Sequence, residues 1–166
     1  MKIFSTFSGI GGFELGIIQA FWEENVEIIG YSEIDKFSSA VLAYRFPRVK
    51  NYGDIKMIDI DELPDFDVLV GGSPCQDLSI SKNNREGLMG KKSGLFFEYV
   101  KILRMKKPAF FVLENVASMN NDNRDFISET LGVEPIKINS ALLTAQSRNR
   151  YYRTNIPGIQ QPKDLG

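Results

Sequence analysis

The sequence has one cysteine and no histidine, so nucleophilic and acid–base chemistry falls to a short list of side chains. Cys75 stands in Ser73-Pro74-Cys75-Gln76, directly after the apolar run Asp67-Val68-Leu69-Val70-Gly71. A thiolate is an effective nucleophile, and a proline fixes the backbone in front of it. Glu114-Asn115 follows a second apolar run and offers a carboxyl group for proton transfer or hydrogen bonding. Arg148 and Arg150, in Gln146-Ser147-Arg148-Asn149-Arg150, share one face of an extended strand and suit a base carbonyl or a phosphate. Each feature also has a plainer reading when taken alone. A free cysteine is often a small buried filler, Glu-Asn is commonly a turn or helix cap, and paired arginines are commonly a solvated strand edge.

A fourth feature points to a ligand. Ser8-Gly9-Ile10-Gly11-Gly12 follows the first apolar stretch, and its glycines let a backbone approach a bound molecule closely. Glu33 closes the next strand, roughly 20 residues on, where an acid that binds ribose hydroxyls is expected. A tight turn with no ligand remains the alternative for the glycines.

The elements that must position these residues alternate between strand and helix. Strands are expected over 2–7, 26–31 and 67–71, with helices over 13–21 and 36–46, the second stopped by Pro47. Residues 51–57 read as a weaker third strand and turn. A helix over 95–105, a strand over 109–113 ending in Glu114-Asn115, a helix over 122–131 and a closing strand pair over 133–140 and 149–156 complete the pattern. This is an α/β chain with an open, mostly parallel Rossmann-like sheet and right-handed crossovers. Residues 77–93 carry Lys82, Arg85, Lys91 and Lys92 among polar residues and read as a mobile loop over a site. One domain is expected over 1–158, with a linker-like tail over 159–166.

Composition narrows the function. The chain has 166 residues, 43% of them hydrophobic and 25% charged, which suits one globular domain with a real core. A lone cysteine forms no internal disulfide, which fits a reducing cytoplasm. One cysteine without histidine argues against a structural zinc site, and no metal is expected. The net charge of −1 is not that of a protein gripping long nucleic acid through its phosphates, so any such contact must be local. No apolar run reaches membrane-spanning length, and no signal-peptide pattern opens the chain.

In order along the chain, these segments resemble the motifs of the DNA (cytosine-5)-methyltransferases. Residues 4–14 look like the cofactor loop, and Glu33-Ile34-Asp35 and Gly53-Asp54-Ile55 look like the next two motifs. Gly71-Gly72-Ser73-Pro74-Cys75-Gln76 resembles the nucleophile motif, and Ser93-Gly94-Leu95-Phe96 the segment after it. Glu114-Asn115-Val116 is similar to the acid motif, and residues 146–150 resemble Gln-x-Arg-x-Arg. The ordered set covers nearly the whole chain.

The resemblance implies the fold of S-adenosylmethionine (SAM)-dependent methyltransferases and SAM as cofactor. It places Phe7, Gly9 and Gly11 along the methionine and adenosine, with Ser8, Ile10 and Gly12 in the same loop. Glu33 would hold the ribose, Ile34, Asp54 and Ile55 the adenine, and Pro74 would lie near cofactor and base. Cys75 would attack carbon 6 of cytosine, Glu114 would hold the base edge at N3, and Arg148 and Arg150 would steady its carbonyl. The partner is DNA, with the target cytosine flipped out of the stack because the sulfur cannot reach it inside. Family members continue into a target-recognition region and a last helix, and here the chain runs out after the arginine motif. One subunit of a split enzyme completed by a second chain, a truncated gene product and a non-catalytic binding protein all fit that pattern. Arg153 is a second departure, since the family more often has Trp or another aromatic after the Tyr-Tyr pair. There it is expected to disturb packing or to mark a partner surface.

Overall fold

The computed structural model describes residues 1–74, 94–142 and 144–162. Its strands are β1 (Lys2–Thr6), β2 (Glu27–Ser32), β3 (Val68–Gly72), β4 (Phe110–Val116), β5 (Ile136–Asn139) and β6 (Asn149–Thr154). Its helices are α1 (Gly12–Phe21), α2 (Lys36–Arg45), α3 (Leu95–Lys106) and α4 (Asn121–Leu131). The strands form one sheet in the order β2-β1-β3-β4-β6-β5. β2, β1, β3 and β4 run parallel, whereas β6 is antiparallel to both β4 and β5. The expected third strand near residue 51 reduces to one bridge, Tyr31 to Asn51, followed by a 3-10 turn over Ile55–Met57.

Strand alternation sends consecutive residues to opposite faces of the sheet. Ile3, Ile28, Val68 and Val70 form one buried cluster, covered by Phe13, Ile17 and Ile18 of α1 and by Phe46 after α2. Phe4, Leu69, Phe111 and Leu113 form the other, with Phe96, Tyr99, Val100 and Ile102 of α3 and Ile127 of α4. α3 can serve this face because its apolar residues recur at helical spacing. Each large aliphatic chain buried in this way contributes roughly 1.5–3 kcal/mol relative to exposure.

Gly71 is required where the β3 backbone crosses between its neighbours. A Cβ there would lie 2.2 Å from Thr6 Oγ1 and 3.1 Å from the Tyr99 ring. The Tyr99 hydroxyl donates to the carbonyls of Leu69 (3.4 Å) and Val112 (3.2 Å), and burial pushes its pKa well up.

The parallel strands deliver their carboxyl ends to one edge, where ligands bind in open α/β sheets. Phe7, after β1, Ser73 and Pro74, after β3, and Glu114, near the end of β4, all collect there. Glu114 and Asn115 lie within β4 instead of just after it, because β6 pairs with residues 112–116 and prolongs the strand.

Candidate active site

Glu114 is the centre of the described site. Its side chain is 17% exposed, and Oε1 contacts Arg150 Nε at 2.5 Å and Arg148 Nη2 at 3.9 Å. The geometry follows from register. Glu114 pairs with Tyr152, so Arg148, Arg150 and Tyr152, spaced by two on and beside β6, turn to the same face as the carboxylate. Gly72 pairs with Glu114 on the other side, and a Cβ on Gly72 would sit 3.1 Å from Glu114 Oε2. The glycine therefore leaves the carboxylate room to lie along the strand ends.

This group opens into a cavity of about 610 Å³ that reaches from Glu114, Arg148 and Tyr152 across Gly72 to Phe7, Ser8, Gly9, Ile10, Gly12 and Phe13. Tyr152 meets the Phe13 ring edge-on at 6.5 Å. Burial, then the negative charge of Glu114, pushes the Tyr152 phenol up, while Arg148 and Arg150 oppose that shift. A second, smaller cavity of about 180 Å³ is bounded by Phe7, Ser32, Glu33, Ile34, Gly53, Asp54, Ile55, Pro74 and Leu95. Phe7 borders both cavities and has φ of 52°. A non-glycine residue in the left-handed region is strained, and such strain concentrates at functional turns.

The turn after β1 is held by the acid at the end of β2. Glu33 Oε2 accepts from Gly9 N at 2.7 Å, and Oε1 accepts from Asp35 N at 2.8 Å. Asn51 bonds Glu33 N (3.2 Å) and Gly53 N (2.9 Å) through its amide oxygen, tying the Gly53-Asp54 turn to the same strand end. Asp54 accepts from Lys56 N at 3.0 Å and Asp35 from Ser38 N at 2.7 Å, so both acids also start helical turns.

The expected site residues thus fall into groups. Phe7, Ser8, Gly9, Ile10 and Gly12 line the larger cavity with Glu114 and Arg148, while Glu33, Ile34, Asp54, Ile55 and Pro74 line the smaller one. Arg150 reaches the site through its ion pair with Glu114. Gly11 lines neither cavity. It has φ of 91°, and a Cβ there would meet Leu42 at 3.1 Å and Phe46 at 3.3 Å, so its place is packing between α1 and α2. Cys75 and the expected loop over 77–93 lie outside the described residues. Among the described residues, no group of three or more His, Cys, Asp or Glu could hold a metal ion, and no helix is long and apolar enough to cross a membrane.

Sequence reasoning gave no individual site role to Gly72 and Phe13, although both fall within motif segments, and none to Tyr152. Tyr152 was readable from alternation with Arg148 and Arg150, whereas Phe13 and Gly72 needed the packing of α1 and β4. Arg153 corrects an expectation. It neither disturbs packing nor faces a partner, because it is 0% exposed on the opposite side of the sheet. Its guanidinium donates to Ser128 Oγ (3.2 Å), Asn115 Oδ1 (3.4 Å) and the Arg124 carbonyl (2.8 Å).

The cavities can hold an elongated ligand with a polar, hydroxyl-bearing part near Glu33 and a reactive end near Glu114. The family model described as C-5 cytosine-specific DNA methylase matches residues 1–140. The chain is 36% identical to an orphan methyltransferase of Bacillus phage SPR, over 97% of this chain and 38% of the phage protein. It is 32% identical to a type II methyltransferase of a Bacillus species, over 99% of this chain and 55% of that protein. Dnmt2 structures from Spodoptera frugiperda (TM-score 0.72, 20% identity, 98% of this chain and 53% of that one) and S. pombe (TM-score 0.68, 16% identity, 97% and 51%) share the fold. The chain spans only part of the length of these relatives, 38% for the phage protein. A family match over most of the residues, on a sheet that brings the acid, Arg148 and the glycine turn to one cavity, places the chain in the C-5 cytosine-specific DNA methylase family.

Proposed function

We propose that this chain is the cofactor-binding and catalytic part of a DNA (cytosine-5)-methyltransferase, acting on a flipped-out cytosine through a covalent adduct with Cys75. The observation that carries the reading is the Glu114–Arg150–Arg148 cluster, which shares one cavity with the glycine turn and lies beside the strand end that leads into Pro74-Cys75.

The residues fit SAM. Among the described residues, and its chain neighbours aside, no atom lies within 4 Å of a Cβ built on Gly9, so the turn leaves space for a ligand. Gly11, at the N-cap of α1, offers no side-chain cap, which leaves first-turn N–H groups for a carboxylate. Glu33 and Asp54 offer acceptors to hydroxyl and amino groups beside the exposed Ile34. The larger cavity, about 610 Å³, lies in the range of small-molecule sites, and the smaller one adjoins it at Phe7. SAM supplies an electrophilic methyl group next to a positive sulfur.

The chain's residues supply the rest. The Cys75 sulfur adds to carbon 6 of cytosine, which makes carbon 5 electron-rich. Glu114 holds the base edge at N3 by sharing a proton with that ring nitrogen, which offsets the negative charge that sulfur addition puts on the ring. It is itself oriented by Arg150, so the base meets a preset group instead of a freely rotating side chain. Arg148, whose side chain is 53% exposed, reaches the base carbonyl or a neighbouring phosphate. With a methyl group on carbon 5, loss of that carbon's proton to water would return its bonding electrons to the ring and expel the Cys75 sulfur as thiolate.

A second reading is favoured by the share of the phage relative that the chain spans, 38%. The chain is then a partner-dependent subunit, or a binding protein that keeps the fold without turnover. Radiolabelled SAM and mixed DNA separate the readings, with the chain alone and with an added chain carrying the remaining segment of a relative. The expected result is label on DNA with the wild type and none with Cys75→Ser, which still binds SAM. Label transferred by Cys75→Ser at the wild-type rate would sink the covalent route. SAM binding with no transfer in any mixture would favour the second reading.

A further inference from the structure

We infer that Arg153 is a positioning residue that fixes the backbone entering the Pro74-Cys75 segment from behind the sheet. Asn115 is 1% exposed and faces away from the cavity. Its Nδ2 donates to the Ser73 carbonyl at 3.0 Å, and its Oδ1 accepts from Arg153 Nη1 at 3.4 Å. An amide can rotate by half a turn and exchange its oxygen and nitrogen. A guanidinium only donates, so Arg153 holds the oxygen toward itself and leaves the NH2 group toward Ser73. The guanidinium is fixed in turn by Ser128 Oγ and the Arg124 carbonyl on α4. The planar fork reaches its three acceptors from three separate nitrogens, Nε, Nη1 and Nη2, whereas the donors of a lysine all spread from one point and cannot span the same set. Ser73 is itself 3% exposed, so its carbonyl has little water to turn to. The contacts therefore run α4–Arg153–Asn115–Ser73 and end one residue before Pro74.

This inference rests on the proposed role of Cys75, but its test needs neither DNA nor SAM. Cys75 is the one cysteine in the sequence, so its alkylation by iodoacetamide at fixed pH reports on that segment in the full chain. Arg153→Met and Asn115→Ala are each expected to change the alkylation rate about threefold or more in the same direction. The double variant should go no further, because both substitutions break one chain of contacts. Arg153→Lys, with a single nitrogen, should fall between wild type and Arg153→Met. Ile127→Val, a core change on the same helix, should lower Tm and leave the rate alone. Wild-type alkylation in folded Arg153→Met would overturn the inference, as would an equal change in Ile127→Val. Should Arg153→Met not fold, a wild-type rate in Arg153→Lys would overturn it instead. A flat result removes the role of Arg153 and leaves Cys75 as nucleophile, whereas methyl transfer by Cys75→Ser removes the nucleophile and leaves the coupling intact.

Discussion

Adding one methyl group at Gly71 should unsettle the floor of the site without touching the cavity. In Gly71→Ala the new Cβ would stand 2.2 Å from Thr6 Oγ1, a full overlap, with the Thr6 carbonyl at 3.2 Å and the Tyr99 ring at 3.1 Å. Thr6 cannot simply swing aside, because it is fully buried and its hydroxyl donates to the Val70 carbonyl at 3.2 Å. Overpacking costs about 1–3 kcal/mol. Losing the buried hydrogen bond adds roughly 1–3 kcal/mol. The stiffer unfolded chain returns about 0.4–1 kcal/mol. The net expectation is a loss of about 1–5.6 kcal/mol, centred near 3, against the ~5–15 kcal/mol that holds a domain together. Urea unfolding followed by circular dichroism reads this as a lower midpoint at constant slope. Thr6→Ala removes the clashing oxygen, so the double variant should lose less than the sum of the two singles, by about 1 kcal/mol or more. Gly71→Ala within 0.5 kcal/mol of wild type, or strict additivity in the double variant, would refute the crowding argument.

Three further outcomes are expected. Glu33→Ala should weaken SAM binding about tenfold or more, since it removes the proposed ribose partner and the acceptor for Gly9 N at once; unchanged affinity by calorimetry would contradict the assignment. Asn120→Ala should cost about 1 kcal/mol in urea unfolding by removing the cap that accepts from Asn123 N at 2.8 Å on α4. The Ser38 N–H bond, with the Ser38 hydroxyl, holds the Asp35 carboxyl below its ordinary value. Its contribution is therefore complete above the unfolded carboxylate pKa of about 4 and is lost as pH falls through the lower folded value. The Tm gap between wild type and Asp35→Asn should shrink on acidification below that range, and a gap that widens there would reverse the sign.

The sheet was legible where burial leaves a continuous mark. β3 and β4 read directly from their apolar runs, and α1 and α3 from residues recurring at helical spacing. Residues 51–57 were less legible, since a single bridge at Asn51 and side-chain bonds to Glu33 and Gly53 hold them, and none of these leaves a periodic pattern. The site was readable as a set of residue types but not as a set of distances. Glu114 meets Arg150 because β6 turns back antiparallel, and nothing local in 146–154 states which strand it will join. Arg153 was misplaced, and the packing constraint on Gly11 was not foreseen, for a shared reason. The neighbours that explain them, Leu42 and Phe46 for the glycine and Ser128, Asn115 and Arg124 for the arginine, come from elements distant in the chain. An arginine is ordinarily exposed, so its residue type alone points the wrong way.

The neighbouring pair Glu114-Asn115 has a consequence for how much change this region tolerates. Because β4 alternates, the carboxylate looks into the larger cavity and the amide looks toward α4. A shift of β4 by one residue would exchange them, setting an amide before the paired arginines and a carboxylate against the guanidinium behind. Both halves of the machinery would fail together. Counting along this strand is thus as strictly constrained as spelling, and a single insertion or deletion between Phe110 and Glu114 would be more damaging than most substitutions within it.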